Sequence, residues 1–363
     1  MTETTVAVPA SSILKLLRVA AWRGIRVLAW QGDVLYGCRG YQIVRLHVTP
    51  QTGESAEWET VARFHPVWWR NLTSRATLSY RLVRDGFHAL AVLDDHAMVG
   101  VVPGAVVTRV PESDEFQVTH RVQRGTRPLH VTAVPSGRIC WGEYFDNRER
   151  AEVHIYASTD RGRTWQVAHT FSAGSIRHVH NVVYDGWGDC LWILTGDEGA
   201  ECKVLRASCD LRSVEEVLAG NQQARAVAAI PTQTGLYLAT DTPFEKNHVY
   251  RFARRIDGAG KVELVGDLAS SSIYGCRVGE AIFFSTMIEP STVNTGREVH
   301  LAGSREGTNW QVLASWKKDR LPMRYFQYGN AFLPDGENAT RYLAATTIAV
   351  EPDDLVTTLW EVE

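Results

Sequence analysis

The chain of 363 residues is long enough for one large β-domain or for two smaller domains. Its formal net charge of -3 gives no electrostatic reason to expect binding to nucleic acid or to an anionic membrane. No apolar run reaches transmembrane length, and the run at 13–19 is too short and too charged for a secretory signal. The six cysteines show no CxxC spacing, so we expect reduced thiols and a cytoplasmic protein.

Apolar strand-like runs recur along the chain with a period of about 50 residues, which is typical of a β-propeller. The residues that open seven successive runs are Arg23, Arg75, Arg127, Arg177, Arg225, Tyr274 and Tyr328. The spacing predicts an all-β fold: one domain over residues 1–363, built as a seven-bladed propeller with four-stranded antiparallel blades. Each of these runs is predicted to form the inner strand of a blade.

The two ends of the chain complement each other. The last unit offers strands at 330–333, 342–347 and 357–362 and then stops, one strand short of a blade. The segment 13–19 precedes the first unit and has no other partner. We therefore predict that this N-terminal strand completes the last blade and closes the ring.

An eight-residue motif of the form S-x-D-x-G-x-x-W occupies residues 158–165, between two strand-like runs. Asp160 can hydrogen-bond the backbone of its own turn, and Gly162 can adopt a positive φ. Trp165 can bury its ring against the hairpin. A degraded copy occupies 304–310, with Glu306 in the place of the aspartate.

The repeat brings the loops that enter the inner strands to one mouth of the ring. Arginines at this mouth would recognise a carboxylate or phosphate, since guanidinium binds both bidentately. Alternatively, each arginine pairs with an acid of the neighbouring blade. The predicted substrate-binding residues at the mouth are Arg75, Arg127, Arg177, Arg225, Tyr274, Glu289, Asn294 and Tyr328.

Two of the inner strands also carry histidines. His178 and His180 are two residues apart and share one face of a strand, and His130 occupies the equivalent place one blade earlier. Histidine is the commonest general acid or base, and three histidines with a water can hold zinc. The sequence requires no cofactor, but a divalent metal at these three histidines is possible. Purely structural roles stay open.

Acidic and polar segments follow the predicted second strands of four consecutive blades. They supply further candidates for acid–base chemistry, although acid-rich hairpin turns are also common on any surface. The candidates in these segments are Glu143, Tyr144, Asp197, Asp241, Glu289 and Asn294.

The motif at 158–165, the seven units and the arginines at the mouth resemble sialidase-like Asp-box (BNR repeat) propellers. The histidines, tyrosine and arginines are similar to those of seven-bladed polysaccharide lyases and rhamnosidases, and 130–318 resembles uncharacterised bacterial Asp-box proteins. The resemblance implies a carbohydrate-active enzyme for an acidic, uronate-containing saccharide, most simply a lyase. Arg127, Arg177 or Arg225 would bind the carboxylate, His178 or His180 would abstract the proton, and Tyr144 or another histidine would protonate the leaving oxygen.

Two other functions stay open at this stage. A sialidase-like glycoside hydrolase would use paired carboxylates drawn from Glu143, Asp197, Asp241 and Glu289. A non-catalytic propeller would bind a glycan or a protein at the same mouth.

Overall fold

The structure is a computed structural model and describes residues 13–254 and 261–363. Seven sheets, each with a core of four antiparallel strands, form a seven-bladed β-propeller, so the predicted fold class is confirmed. The segment 1–12 lies outside the described residues. Within the described residues, no helix is both long enough and apolar enough to cross a membrane.

The blades follow one another along the chain, and each begins with its innermost strand. From the axis outwards, the strands are Arg26–Gly32, Val34–Arg39, Gln42–His47 and Glu59–Arg63 in blade 1; Ala89–Val92, Met98–Val102, Ala105–Arg109 and Gln117–Arg121 in blade 2; Thr132–Ala133, Ile139–Gly142, Val153–Ser158 and Gln166–Phe171 in blade 3; and His178–Asp185, Cys190–Gly196, Lys203–Ser208 and Val214–Ala219 in blade 4.

The remaining blades keep this order. The strands are Ala226–Thr232, Gly235–Thr240, Asn247–Ala253 and Val262–Leu268 in blade 5; Ser272–Val278, Ala281–Thr286, Glu298–Ser304 and Gln311–Lys318, extended by Val350–Glu351, in blade 6; and Asn330–Phe332, Tyr342–Ile348, Val356–Val362 and Leu16–Arg23 in blade 7. The helices are Trp68–Thr73, Thr77–Val83 and Met323–Phe326, with single 3-10 turns at Gly199–Glu201 and Gln222–Ala224.

The N-terminal strand closes the ring, as predicted. Leu16–Arg23 pairs antiparallel with Val356–Val362 and forms the outer edge of blade 7. It starts and ends later than the predicted 13–19, because the chain stays extended through the fully buried Ala20. Leu14, just before the strand, is buried with Leu343 and other residues of blades 6 and 7.

The burial of the second strand of each blade explains why the repeat can be recognised in the sequence. Every residue of Cys190–Gly196 is buried, because a propeller blade packs against a neighbour on both faces. Such a strand becomes a continuous apolar run bounded by turns.

The prediction for the second inner strand was wrong. The run after Arg75 is the helix Thr77–Val83, and the inner strand of blade 2 is Ala89–Val92. Tyr80 and Arg81 are buried on one side of this helix while Leu78 and Leu82 are exposed, which is a helical rather than an alternating pattern. Arg75 therefore precedes a helix in the connection between blades 1 and 2.

The turn at 158–165 has the predicted internal hydrogen bonds. The backbone N–H of Thr164 donates to Asp160 Oδ1 at 2.9 Å, and that of Gly162 donates to Ser158 Oγ at 2.8 Å. Gly162 adopts a φ of +81°. The ring of Trp165 packs edge-on against Trp141 of the same blade, with centroids 6.1 Å apart.

A short additional strand lies along the inner edge of blade 1. Asp335–Asn338 pairs in parallel with Arg26–Gly32, on the side that faces the axis. The segment thereby narrows the central channel. We call the end of the channel at which the inner strands begin and the second strands end the mouth face.

Candidate functional site

The side chains with the clearest chemical arrangement lie at the mouth face of blade 4. His178 and His180 begin its inner strand, and Asp197 directly follows its second strand. Antiparallel pairing places His178 opposite Gly196, so the start of one strand meets the end of the other. Gly196 leaves room for a ring: a Cβ there would lie 2.5 Å from His180 Cε1.

The three side chains converge on one point. His180 Nε2 lies 3.1 Å from Asp197 Oδ1, and His178 Nε2 lies 3.4 Å from the same oxygen. The two Nε2 atoms are 3.1 Å apart. Both histidines are buried, with 4% and 3% of their surface exposed.

Hydrogen bonds to the opposite nitrogens fix the tautomers of both rings. His178 Nδ1 donates to the carbonyl of Phe145 at 3.0 Å, and His180 Nδ1 donates to the carbonyl of Ala226 at 2.9 Å. In the neutral rings, both Nε2 atoms are then acceptors. The Nε2 lone pairs of His178 and His180 and the carboxylate of Asp197 therefore face one another. This triangle of three acceptor atoms requires a shared cation, either a proton or a metal ion.

The geometry matches one face of a metal tetrahedron. With metal–ligand bonds of about 2.0–2.1 Å and tetrahedral angles, ligand atoms lie about 3.3 Å apart. The three observed separations are 3.1, 3.1 and 3.4 Å. Histidine ligands of zinc commonly donate their second ring N–H to a backbone carbonyl, as both rings do at this site. Two histidines and one carboxylate would leave the fourth position open, as catalytic zinc sites do.

The protonation states at the triangle also suit a metal. Burial lowers the pKa of His180, and Asp197 opposes that shift because its carboxylate accepts a hydrogen bond from the protonated form of the ring. Burial alone would raise the pKa of Asp197, but its carboxylate accepts hydrogen bonds from His178 and His180 when these rings are protonated, and this holds that pKa well below its ordinary value. An ionised carboxylate and a neutral imidazole are the forms that bind metal ions.

The predicted metal set was wrong in one member. His130 does not belong to the triangle; its Nδ1 lies 3.1 Å from Asp335 Oδ2, and its ring is 6.4 Å from that of Tyr274. The third ligand candidate is Asp197. Asp335 belongs to the additional strand Asp335–Asn338, which the repeat did not predict, so the partner of His130 could not be predicted from the sequence.

Two mouth arginines are paired with acids, as the alternative interpretation held. Arg177 contacts Asp146 of blade 3 at 2.7 Å and Asp197 of its own blade at 3.3 Å. Arg225 lies between Asp197 at 3.5 Å and Asp241 at 3.8 Å. These arginines orient the acids around the triangle and offset their charge.

A second acidic pair lies next to Arg225, in blades 5 and 6. Asp241 is buried, and burial together with the nearby Glu289 raises its pKa to about 7, against the opposing charge of Arg225. Ser271 donates to Glu289 Oε2 at 2.9 Å and also interacts with Asp241. A carboxyl group that titrates near neutrality beside a second carboxylate is a common arrangement in acid–base sites.

Tyr144 covers the triangle from blade 3. Its ring centroid lies 4.3 Å from that of His178 and 6.2 Å from that of His180. Burial first, and the negative charges of Asp197 and Asp241 next, raise the pKa of its phenol to about 12. The phenol therefore keeps its proton at neutral pH and can donate it.

Other predicted residues have structural contacts. Glu143 is buried and forms an ion pair with Arg124, while its carboxylate accepts from the backbone of His154. Asn294 is buried and donates to the carbonyl of Thr242 at 3.1 Å, which ties the loops of blades 5 and 6 together. The side chain of Tyr328 is 40% exposed at the mouth face of blade 7.

Arg127 and Tyr274 belong to a second group, which also contains Arg26. Arg127 makes no hydrogen bond or ion pair to any other described residue. Its pKa is lowered to about 10, chiefly by burial and then by the charge of Arg26. Arg26 is buried, lies 3.8 Å from the ring centroid of Phe332, and is close to Tyr274.

Two residues of these groups, Arg26 and Ser271, were not predicted from the sequence. Arg26 lies three residues after Arg23, inside an apolar run, and this position in the sequence does not predict that its guanidinium is buried. Ser271 is the second residue of the serine-rich segment SSSI, whose polar residues gave no sign that one of them contacts two carboxylates. Both are recognisable only once neighbouring blades are placed together.

Comparisons with known proteins identify the fold and no family. No protein-family model matches the chain, and no curated protein matches it. Among solved structures, a mitotic checkpoint complex chain has a TM-score of 0.58 at 11% identity, covering 99% of this chain and 98% of that one. The Cps50 (Swd1) β-propeller domain of Myceliophteria thermophila has a TM-score of 0.54 at 11% identity, over 98% and 99%.

A carbohydrate enzyme is also among the structural neighbours. The GH74 enzyme of Niastella koreensis has a TM-score of 0.52 at 15% identity, covering 82% of this chain and 46% of that one. Since the neighbours include both enzymes and other propellers at such low identity, they establish the seven-bladed fold alone.

Proposed function

We propose that the protein is a metal-dependent enzyme that performs acid–base chemistry on an acidic saccharide at its mouth face. The observation that carries the proposal is the triangle of His178 Nε2, His180 Nε2 and Asp197 Oδ1, with edges of 3.1–3.4 Å. Three acceptors held this close, with both rings fixed by backbone carbonyls, form a preorganised divalent cation site. Zinc is the metal whose ligand set and geometry fit it best.

A metal at this site would draw in an anionic substrate group and polarise it. Arg225 and Arg177 border the triangle and would hold a second oxygen of that group. A uronate carboxylate satisfies both requirements, and its neutralisation lowers the pKa of the adjacent C–H bond. Because both histidines are committed to the metal in this proposal, the role of proton acceptor passes from them to Asp241.

The reaction that these groups support is a β-elimination. Asp241, with a pKa of about 7, takes the proton from the carbon next to the carboxylate. The C–O bond at the neighbouring carbon breaks as a C=C bond forms. Tyr144 then gives its proton to the departing oxygen. The substrate loses one proton to Asp241 and gains one from Tyr144, so the step needs no further reactant.

Hydrolysis is the second candidate, and the Asp241–Ser271–Glu289 network favours it. One carboxyl group that is partly protonated near neutrality and one carboxylate beside it could serve as acid and base on a glycosidic bond. The products separate the two reactions. Elimination creates an unsaturated uronate that absorbs in the ultraviolet, and hydrolysis creates a new reducing end without that absorbance.

The test is turnover of uronate-containing oligosaccharides by zinc-loaded and chelator-treated protein. We expect an unsaturated product from the loaded protein, its loss after chelation, and its recovery when zinc is restored. His180→Ala should be inactive, whereas His47→Ala, an exposed histidine outside the site, should match the wild type. Binding of the saccharides with no product of either kind would overturn the enzymatic proposal in favour of a glycan-binding propeller.

A further inference from the structure

A second cleft on the mouth face has an unusual charge. It lies over blade 1, between the helical connection to blade 2 and a loop of blade 7, and encloses about 520 Å³. This volume suits a small organic ligand. Its charged lining consists of arginines and one histidine, with no aspartate or glutamate: Arg23, Arg26, Arg39, Arg63, Arg75 and His65.

The five arginines lack carboxylate partners among residues 13–254 and 261–363. Arg26 is buried, and the other four are exposed. In the same part of the chain, most of the buried or half-buried arginines besides Arg26 form ion pairs, such as Arg70 with Asp85 and Arg254 with Asp185. His65 in the cleft does have an acidic neighbour, Glu115, at 3.4 Å. The chain as a whole has a net charge of -3, so this local excess of positive charge is not a consequence of composition.

Arg26 at the inner end of the cleft shows that the charge is built into the fold. It is 6% exposed, and its Nε has no hydrogen-bond partner. Its other nitrogens reach the ring and the carbonyl of His88 at 3.3 and 3.2 Å, and neither contact neutralises the charge. Burying a guanidinium without an anion is costly, and Arg127 lies close enough to repel it.

From these observations we infer that the cleft is a binding site for a small molecule that carries two or more phosphate groups. Guanidinium binds phosphate oxygens bidentately, and several such groups around one cavity match several negative charges at short separation. Gln42, Asn71, Ser74 and Thr77 in the lining supply polar contacts for the uncharged part of the ligand. The inference does not depend on the enzymatic proposal, since the metal triangle lies in blade 4.

Calorimetric titration with inorganic pyrophosphate tests the inference, in chelator so that no metal contributes. We expect saturable binding by the wild type, about tenfold weaker binding by Arg39→Ala and by Arg75→Ala, and a decline in affinity with salt. Arg163→Ala removes the same charge from an exposed position outside the cleft and should bind like the wild type. His180→Ala should also bind normally, which separates this site from the proposed metal centre.

Three results would overturn the inference. The first is no binding of pyrophosphate by the wild type. The second is equal weakening in Arg163→Ala, which would reduce the effect to net charge. The third is citrate binding as tightly as pyrophosphate, because a tricarboxylate of similar charge would then remove the case for phosphate.

Discussion

Gly196→Ala is the most informative small change at the proposed metal site. The new Cβ would lie 2.5 Å from His180 Cε1, whereas ordinary contacts begin at 3.4 Å. The ring must therefore move by about 1 Å, since the glycine sits in a fully buried strand that cannot give way. Metal–ligand distances in a working site tolerate about 0.2 Å.

The expected result is a fall in zinc affinity of at least about tenfold, comparable to the loss of a residue that orients a ligand. The free energy of unfolding should fall by about 1–3 kcal/mol, the usual cost of overpacking. Zinc affinity is measured by competition with a chromophoric chelator, and stability by denaturant unfolding of the metal-free protein.

Gly186→Ala is the matched control. Its Cβ would meet only Tyr184 Cε1, at 3.6 Å, which is an ordinary contact. We expect both zinc affinity and stability to stay close to the wild-type values. A folded Gly196→Ala protein that binds zinc as tightly as this control would refute the placement of His180 in a metal site.

Three further predictions concern closure, pH and proton transfer. Leu14→Ala should lower the free energy of unfolding by about 2–5 kcal/mol, because Leu14 is 3% exposed and packs against residues of blades 6 and 7. Leu17→Ala, at 47% exposure, should cost less than about 1 kcal/mol, and equal effects of the two changes in denaturant unfolding would contradict ring closure by this segment. The folded-state pKa of Asp241 is about 7, above its unfolded value, so the folded state binds an extra proton and the free energy of unfolding of the wild type should fall as pH rises from about 4 to 7. Asp241→Asn should lack this fall, and parallel pH–stability curves for the two proteins would contradict the raised pKa. Tyr144→Phe should retain zinc and saccharide binding but lose at least about a hundredfold in turnover, and unchanged turnover would remove the phenol from the mechanism.

The architecture was predictable because it repeats. Strands such as Cys190–Gly196 are buried on both faces, so their sequence is a continuous apolar run between turns, once per blade. The unpaired N-terminal strand followed from counting strands in the last unit. The helix Thr77–Val83 was missed because an apolar run after an arginine was assigned by its place in the repeat and not by its own period.

The site was predictable in part. His178, His180 and Asp197 were all selected as candidates, because the repeat aligns the start of an inner strand with the end of the next strand. Their convergence was not predictable, since it depends on side-chain direction and on the missing side chain of Gly196. Arg177 and Arg225 each pair with an acid of the adjacent blade, Asp146 and Asp197, and a one-dimensional repeat does not assign such partners.

The most direct test of the metal site is the zinc content of the full chain after reconstitution and removal of free metal. We predict one zinc per chain for the wild type and for His47→Ala, and almost none for His178→Ala, His180→Ala and Asp197→Ala, with all five proteins folded by circular dichroism. A folded wild-type protein that retains no zinc, or triangle variants that retain as much as the wild type, would contradict the metal centre and leave a proton as the cation shared by the triangle.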